Sequence, residues 1–269
     1  MAVAAAFAVP SAAGSAAGDG ALPAAWGEAS AAGHGAAPAG GGDVSAETPG
    51  IATTAAAARA PAVRQMVVFR SGRAVTKTVR ARQVMVRVRG RRCVAGDGTA
   101  LAALVRSRPG RLRLRDFGSC SRRPRDGTGL FVAGIGPDRN RGQNGWVYKV
   151  GRRSATAGAA DPSGPFGRGR LRSGQRVTWF YCRLRGGGCQ RTLEARAQPG
   201  PGGITVRVLG YDDDGRGVPV EAATVDAGRT TALTGADGLA NLAVPPGTYR
   251  VVAKKTGLVR SFAERVEVP

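Results

Sequence analysis

The sequence predicts a mainly β protein with one short helix. We expect a small α+β module followed by a small antiparallel β-sandwich, both preceded by a disordered N-terminal segment. Three observations predict this fold class: apolar and basic residues alternate in the middle of the chain, a helical pattern occurs only at 96–107, and short apolar runs separated by Gly, Asp and Pro turns follow residue 203. Alternation is typical of strands, and regularly spaced short strands are typical of a sandwich.

The N-terminal region favours export. Residues 1–20 contain an apolar stretch followed by small residues, as a secretory signal peptide does. No basic residue precedes the stretch, so the alternatives are a true start upstream of Met1 or low-complexity alanine. Glycines and Pro10 interrupt it too often for a membrane span, and we expect none. Residues 21–62 consist mainly of Ala, Gly and small polar residues, with Trp26 as the lone large side chain. This composition predicts a disordered linker.

The first folded module is predicted over residues 63–197 and opens with strands. Val84, Val86 and Val88 alternate with Met and Arg side chains, so one face of this strand is apolar and the other is mostly basic. The Ser-Gly pair at 71–72 marks a hairpin turn before it.

One helix is predicted in this module, over the sequence GTALAALV. Asp97 or Thr99 can cap its N-terminus. Leu101, Leu104 and Val105 form its apolar face. An apolar strand LFVAGIG follows, and then two aromatic strands, WVYKV and RVTWFYC, with a long Gly/Pro/Ser loop between them.

The C-terminal part predicts a second, smaller module. Residues 198–203 have the sequence QPGPGG and are predicted to be a linker. Residues 204–269 contain short strands at regular spacing, with turns expected at 236–238 and 245–247. These features predict the antiparallel β-sandwich.

The four cysteines predict two disulfides. Their spacing matches no zinc pattern with C-x2-C knuckles, and no metal or cofactor is expected. We favour the pairs Cys93–Cys120 and Cys182–Cys189, although other pairings such as Cys120–Cys189 stay open. Disulfides require an oxidising compartment, so they independently favour an extracytoplasmic location.

The positive charge is concentrated in the first module. Residues 61–198 carry 31 basic and 6 acidic groups, a net charge of +25, whereas residues 199–269 are neutral and residues 1–60 have a net charge of −3. Nearly all the basic groups are arginines, which also fits a GC-rich coding sequence. The arginine runs lie at 87–92, 106–115, 121–125 and 168–172.

Such a charge attracts polyanions, so an anionic polymer of the cell envelope is a candidate partner. The alternative is a solvated charged surface without a partner. No helix-turn-helix, zinc-finger or RNP sequence accompanies the arginines, and nucleic acid is therefore not an expected partner.

The first module resembles the transcobalamin-like family of unknown function found in secreted and surface proteins of bacteria. The resemblance covers roughly residues 63–195 and rests on GTALAALV, GIGPDRNRGQNGWVYKVGRR and LRSGQRVTWFYC. It implies a β-grasp-like fold, in which a mixed sheet wraps one helix, and animal relatives bind cobalamin with this domain plus a helical one. The last module resembles the carboxypeptidase-regulatory-like, prealbumin-type sandwich through TGADGLANLAVPPGTYRVVAKKTG. That domain is common in extracellular proteins and implies no enzyme activity.

The aromatic strands supply the candidate ligand-binding residues. Trp146 and Tyr148 share one face of the first strand, and Trp179 and Tyr181 share one face of the second. Phe166, on the loop between them, is expected to close over these rings. They form either a platform for a flat ligand or the core of a small domain.

No catalytic group is predicted. The only histidine, His34, lies in the Ala/Gly-rich segment, so the folded modules lack a histidine for Ser–His or Cys–His catalysis. Residues 212–215, with the sequence DDDG, lack the spacing of a calcium loop, because Ala223 occupies the place of its glutamate. They are expected to form a polar hairpin turn.

Together these features predict an exported, non-enzymatic binding or structural protein, secreted or associated with the cell envelope. One alternative is a small-molecule binding module whose aromatic strands hold cobalamin or another flat ligand. A further alternative is a polyanion or nucleic-acid binder that acts by charge alone.

Overall fold

The structure, a computed structural model, describes residues 60–269. The signal peptide expected at residues 1–20 and the linker expected from residue 21 to residue 59 lie outside the described residues. Within residues 60–269 the chain forms 18 strands, one α-helix and one 3-10 turn, which confirms a mainly β protein with one helix.

The strands are β1 (Ala62–Val68), β2 (Ala74–Arg80), β3 (Val84–Val88), β4 (Arg91–Ala95), β5 (Leu112–Asp116), β6 (Leu130–Ile135), β7 (Asp138–Arg139), β8 (Gly145–Val150), β9 (Arg153–Ser154), β10 (Arg176–Cys182), β11 (Thr192–Gly200), β12 (Gly203–Tyr211), β13 (Gly217–Pro219), β14 (Thr224–Ala227), β15 (Thr230–Leu233), β16 (Leu239–Ala243), β17 (Gly247–Lys254) and β18 (Glu264–Val268). The helix α1 is Ala100–Ser107, and the 3-10 turn is Pro124–Gly127.

A five-stranded mixed sheet forms the centre of the first module, in the order β2-β1-β10-β8-β9. Its middle strands β1 and β10 run parallel, and the other neighbouring pairs are antiparallel. Helix α1 packs on β1 and β2, where Leu101 and Leu104 are fully buried in one core with Val63 and Trp179. A mixed sheet with one helix packed on it is the arrangement expected of the module.

The helix begins at the cap that the sequence offers. Thr99 Oγ1 accepts a hydrogen bond from Ala102 N–H at 3.2 Å, which satisfies one of the free N–H groups of the first turn. The other candidate cap, Asp97, instead accepts from Gln83 N–H at 2.7 Å. The helix ends at Arg108, whose φ of 48° is left-handed and cannot continue it.

Two smaller sheets complete the first module: a ribbon of β3 and β4, and a three-stranded sheet of β5, β6 and β7. Both predicted disulfides are present. Cys93–Cys120 joins the middle of β4 to the segment after β5, and Cys182–Cys189 closes the loop after β10.

The second module is a sandwich of two four-stranded antiparallel sheets. One contains β11, β12, β13 and β16, and the other contains β15, β14, β17 and β18. Their facing side chains form a separate apolar core around Val206, Val225 and Val251, which are completely buried. Buried and exposed residues alternate along β16 and β18, so every second side chain of these short strands points into this core.

Residues 198–203 are not a linker, contrary to the sequence prediction. Strand β11 continues to Gly200, which pairs with Gly203 at the start of β12, so QPGPGG closes a hairpin of the sandwich. Only glycine fits at position 203, because a Cβ there would lie 2.0 Å from Leu242 O. Pro199 is tolerated because β11 is an edge strand. The chain actually crosses between the modules at residues 183–191.

The sandwich covers the second face of the mixed sheet. Met66, Val68 and Phe180 point away from helix α1 and form a small apolar cluster with Val259 and Phe262. The mixed sheet is therefore buried on both faces. In the described part of the chain, no helix is long and apolar enough to cross a bilayer.

Four ion pairs of the described residues flank this apolar cluster and join the two modules. Lys149 pairs with Asp213, Arg152 pairs with Glu194, and Arg64 and Arg176 both pair with Glu264.

Candidate functional site

The four predicted aromatic residues of the strands lie on one face of the mixed sheet. Trp179 is directly opposite Tyr148, and Tyr181 is opposite Trp146. All four belong to the core of the first module, and each is at most 7% exposed. The rings of Tyr148 and Trp179 stack, with centroids 4.9 Å apart and planes 24° apart. The alternation in the sequence thus brings all four rings together.

Two of these residues hold a loop of the first module with their polar tips. Trp146 Nε1 donates to Asp138 O at 3.1 Å, and Tyr181 Oη donates to Arg139 O at 3.0 Å. Their rings also meet edge to face, with centroids 6.1 Å apart. Both residues therefore have an established structural role.

In the stacked pair, Tyr148 also bonds a loop with its polar tip, whereas Trp179 does not. Tyr148 Oη donates to Ala157 O at 3.0 Å, and burial raises the pKa of Tyr148, as does the charge of Asp161 to a smaller extent. Trp179 is 1% exposed, and its Nε1 has no acceptor among residues 60–269. A buried N–H without an acceptor is rare in native proteins and requires an explanation.

Trp179 lines an apolar groove of about 520 Å³, which we call the aromatic groove. Its volume is that of a small-molecule site. Tyr148 and Trp146 line it as well, together with the β6 residues 130–132 and the loop residues 155 and 157–159. The groove lies between strands β6 and β8, where the core of the first module reaches the surface.

Two further phenylalanines line the aromatic groove. Phe117 is 74% exposed and Phe131 is 41% exposed, and their rings meet edge to face at 5.7 Å. Neither residue is among the ligand-binding residues predicted from the sequence. A signal was present for Phe131, because it lies between Leu130 and Val132, which alternation directs into the core.

Phe166 was expected to close over the four aromatic rings, and this expectation stays a prediction. Phe166 is half-buried against the core of the first module, and Arg153 lies over its ring at 5.7 Å. It is not among the residues that line the aromatic groove. The loop that contains Phe166 folds back on itself, with Thr156 N–H and Ala157 N–H both bonded to Pro165 O.

A carboxylate of the second module reaches the rim of the groove. Asp213 accepts hydrogen bonds from Ser154 Oγ at 2.7 Å and from Cys189 N–H at 2.9 Å. Burial alone would raise its pKa, but these bonds and the charge of Lys149 hold the pKa of Asp213 below its ordinary value. Asp213 is therefore ionised and fully engaged at neutral pH.

Lys149 is the residue whose role the sequence did not indicate. Its side chain is 0% exposed, and Nζ donates to Tyr211 O at 3.1 Å and to Asp212 O at 2.7 Å. Burial lowers the pKa of Lys149, an effect that Asp213 opposes. The acidic residues 212–215 form a turn, as expected, and this turn holds an ammonium group of the same chain.

Among residues 60–269, no three His, Cys, Asp or Glu side chains come together as a metal site would require. The resemblances to the transcobalamin-like family and to the prealbumin-type sandwich stay predictions. Comparison of the chain with models of known families, with curated proteins and with solved structures gives no match.

Proposed function

We propose that this protein is an extracytoplasmic, non-enzymatic binding protein that holds a small planar ligand in the aromatic groove. One observation carries the proposal: Trp179 lines the groove, and its buried Nε1–H has no acceptor among residues 60–269. A ligand with a hydrogen-bond acceptor would supply the missing partner. Burying an N–H without one is unfavourable by about 1–3 kcal/mol, so the ligand would recover that free energy.

The lining supports a flat, uncharged ligand. Aromatic rings offer faces and edges for stacking against another ring. The exposed Phe117 and Phe131 would lose contact with water when a ligand entered, and burial of apolar surface favours binding. Asp213, the carboxylate at the rim, is already paired with Lys149 and does not require a cationic ligand.

The extracytoplasmic part of the proposal rests on the two disulfides, which indicate an oxidising environment. Counting thiols in native material, with and without reductant, tests it together with cell fractionation. We expect four thiols only after reduction, in the extracytoplasmic fraction. Four free thiols in the cytosol would contradict export.

We also propose that the groove catalyses no reaction. Asp213 is the one carboxylate among the described residues that line the groove, and its lowered pKa keeps it ionised, so it is a poor proton donor near neutral pH. Its oxygens are occupied by Ser154 and Cys189.

The binding test uses two uncharged fluorescent probes: an aminocoumarin, whose lactone carbonyl is an acceptor, and pyrene, which has none. We expect both to bind and the aminocoumarin to bind more tightly. Trp179→Phe should lower the affinity for the aminocoumarin by about tenfold, which is the equivalent of one hydrogen bond. The affinity for pyrene should not change.

Tyr181→Phe is the matched control. It removes a polar tip from the same strand at a residue that does not line the groove, so the affinity for both probes should stay the same. The proposal is wrong if neither probe binds, or if Trp179→Phe leaves the aminocoumarin affinity unchanged.

A further inference from the structure

The ribbon of β3 and β4 exposes an unusual concentration of arginine. Arg87 lies directly opposite Arg92, and Arg91 is opposite Val88. Arg89 occupies the turn with a φ of 49°, a conformation that favours Gly or Asn. All four arginines are exposed, and like charges directly opposite each other destabilise a ribbon. None of the four is in an ion pair of the described residues.

A disulfide brings a second arginine run to this ribbon. Cys93 in β4 is bonded to Cys120, and Val94 N–H donates to Ser121 O at 2.9 Å. The run 121–125 therefore lies beside β4, although 25 residues lie between the two in the sequence. The 3-10 turn within this run also contacts β4.

The third run, 168–172, reaches the same surface from the other side. Leu171 N–H donates to Gly98 O at 2.9 Å. A Cβ at Gly98 would lie 2.8 Å from the Cβ of Arg170, so Arg170 packs directly on this loop. The three runs, which the sequence separates, thus form one surface that we call the arginine face.

A shallow depression lies within the arginine face and has a volume of about 460 Å³. Its lining consists of Arg123, Arg125 and Arg170 together with Pro124 and Pro162. The carboxylate of Asp126 lies close by, 3.8 Å from Arg125 Nε, and also accepts a hydrogen bond from Ser121 Oγ at 2.5 Å. One such acid does not neutralise three arginines, so the depression is cationic.

We infer that the arginine face binds a linear acidic polysaccharide. Its arginines extend from the β3–β4 ribbon to the depression, which suits a polymer with repeated anionic groups better than a single small anion. Guanidinium forms paired hydrogen bonds with carboxylate, sulfate and phosphate oxygens.

The lining distinguishes such a polymer from single-stranded nucleic acid. Proteins that bind single strands combine basic grooves with aromatic side chains on which bases stack. The depression is lined by arginine and proline, and its described lining contains no aromatic residue. This inference does not depend on the aromatic groove, which is lined by other residues.

The test compares two variants with equal net charge. One replaces four exposed residues of the arginine face: Arg87→Gln, Arg92→Gln, Arg123→Gln and Arg170→Gln. The control replaces four exposed arginines of the sandwich: Arg207→Gln, Arg229→Gln, Arg250→Gln and Arg265→Gln. The probes are polygalacturonate and a single-stranded oligodeoxynucleotide of equal charge, and the full chain is used in each case.

At about 0.1 M salt we expect the arginine-face variant to bind polygalacturonate at least about tenfold more weakly than the unmodified chain, with a shallower salt dependence. The affinity of the control variant should stay within about threefold of that of the unmodified chain. The inference is overturned if both variants lose affinity equally, if no binding occurs, or if the oligodeoxynucleotide binds as tightly as the polysaccharide. Binding of the uncharged aminocoumarin should be the same in all three proteins, which separates this test from that of the aromatic groove.

Discussion

Lys149 Nζ lies 3.4 Å from Asp213 Oδ1, and this contact joins the mixed sheet of the first module to the acidic turn of the sandwich. The ammonium is completely buried and also bonds the carbonyl oxygens of Tyr211 and Asp212. A buried charge is tolerated only when it is paired and hydrogen-bonded. Separating the modules would remove every one of these partners, so the stability of each module depends on the other.

Lys149→Met should therefore destabilise the whole chain. Methionine has a similar volume but leaves the two carbonyls without a donor and Asp213 without its cation. We expect a loss of about 3 kcal/mol in the free energy of unfolding, measured by denaturant titration. Lys254→Met is the control, because Lys254 is half exposed and pairs with Asp226 at 2.6 Å, and it should lose less than about 1 kcal/mol. Equal losses would contradict the role of burial.

The contact between the modules should weaken in acid because it depends on the carboxylate of Glu194. Arg152 donates to it twice at 2.7 Å, and Arg196 donates at 2.8 Å. Burial alone would raise its pKa, but these arginines hold the pKa of Glu194 below the ordinary 4.5. The unfolded chain then takes up this proton at a higher pH than the folded chain does. The stabilisation is complete above pH 4.5 and is lost as the pH falls through the lower, folded-state value.

Glu194→Gln should thus lose less stability than the unmodified chain between about pH 5 and about pH 3, as measured by thermal unfolding across that range. Glu267→Gln removes an exposed carboxyl that forms no ion pair among the described residues, and its profile should match that of the unmodified chain. A profile for Glu194→Gln parallel to that of the unmodified chain would count against this assignment.

Phe117 should affect binding without affecting folding. It is 74% exposed, so Phe117→Ala is expected to change the free energy of unfolding by no more than about 0.5 kcal/mol. The same substitution removes a wall of the aromatic groove and should weaken aminocoumarin binding several-fold. Phe180→Ala provides the contrast, because Phe180 is 1% exposed and its truncation should cost about 3–5 kcal/mol of stability. Retention of full affinity in Phe117→Ala would exclude it from the site.

The two disulfides should differ in their contributions to stability. Cys93–Cys120 closes a loop with a sequence separation of 27, and Cys182–Cys189 one with a separation of 7. In the chain-entropy model, replacing each pair by alanines should lower the free energy of unfolding by about 3.6 and about 2.4 kcal/mol respectively. Denaturant titration of both double variants checks the order. The reverse order would show that chain entropy does not govern these bridges.

Much of the first module was predictable because its signals are local. Thr99 caps the helix next to it, and alternation within β8 and β10 places Trp146, Tyr148, Trp179 and Tyr181 on one face whatever surrounds the strands. The pairing Cys182–Cys189 also spans a single short loop.

The remaining features depend on contacts between distant parts of the chain. Lys149 lies on the face of β8 opposite to that of the aromatic rings. If that face of the sheet were solvated, Lys149 would be in water. It is buried because the sandwich covers that side. The segment 198–203 has the composition of a linker, yet pairing of β11 with β12 makes it a hairpin. The aromatic groove depends on how β6 lies beside β8, and neither strand specifies this alone.

The parallel pair at the centre of the mixed sheet imposes an order on biosynthesis. Arg64 of β1 pairs with Arg176 of β10, so the first strand cannot find its central partner until almost two thirds of the chain has been made. Until then the β1–β2 hairpin keeps an open edge that could pair with another unfinished chain. The dense positive charge of residues 61–198 makes unfinished chains repel one another during this interval. We therefore expect the arginines to reduce aggregation of the newly made chain before its sheet is complete.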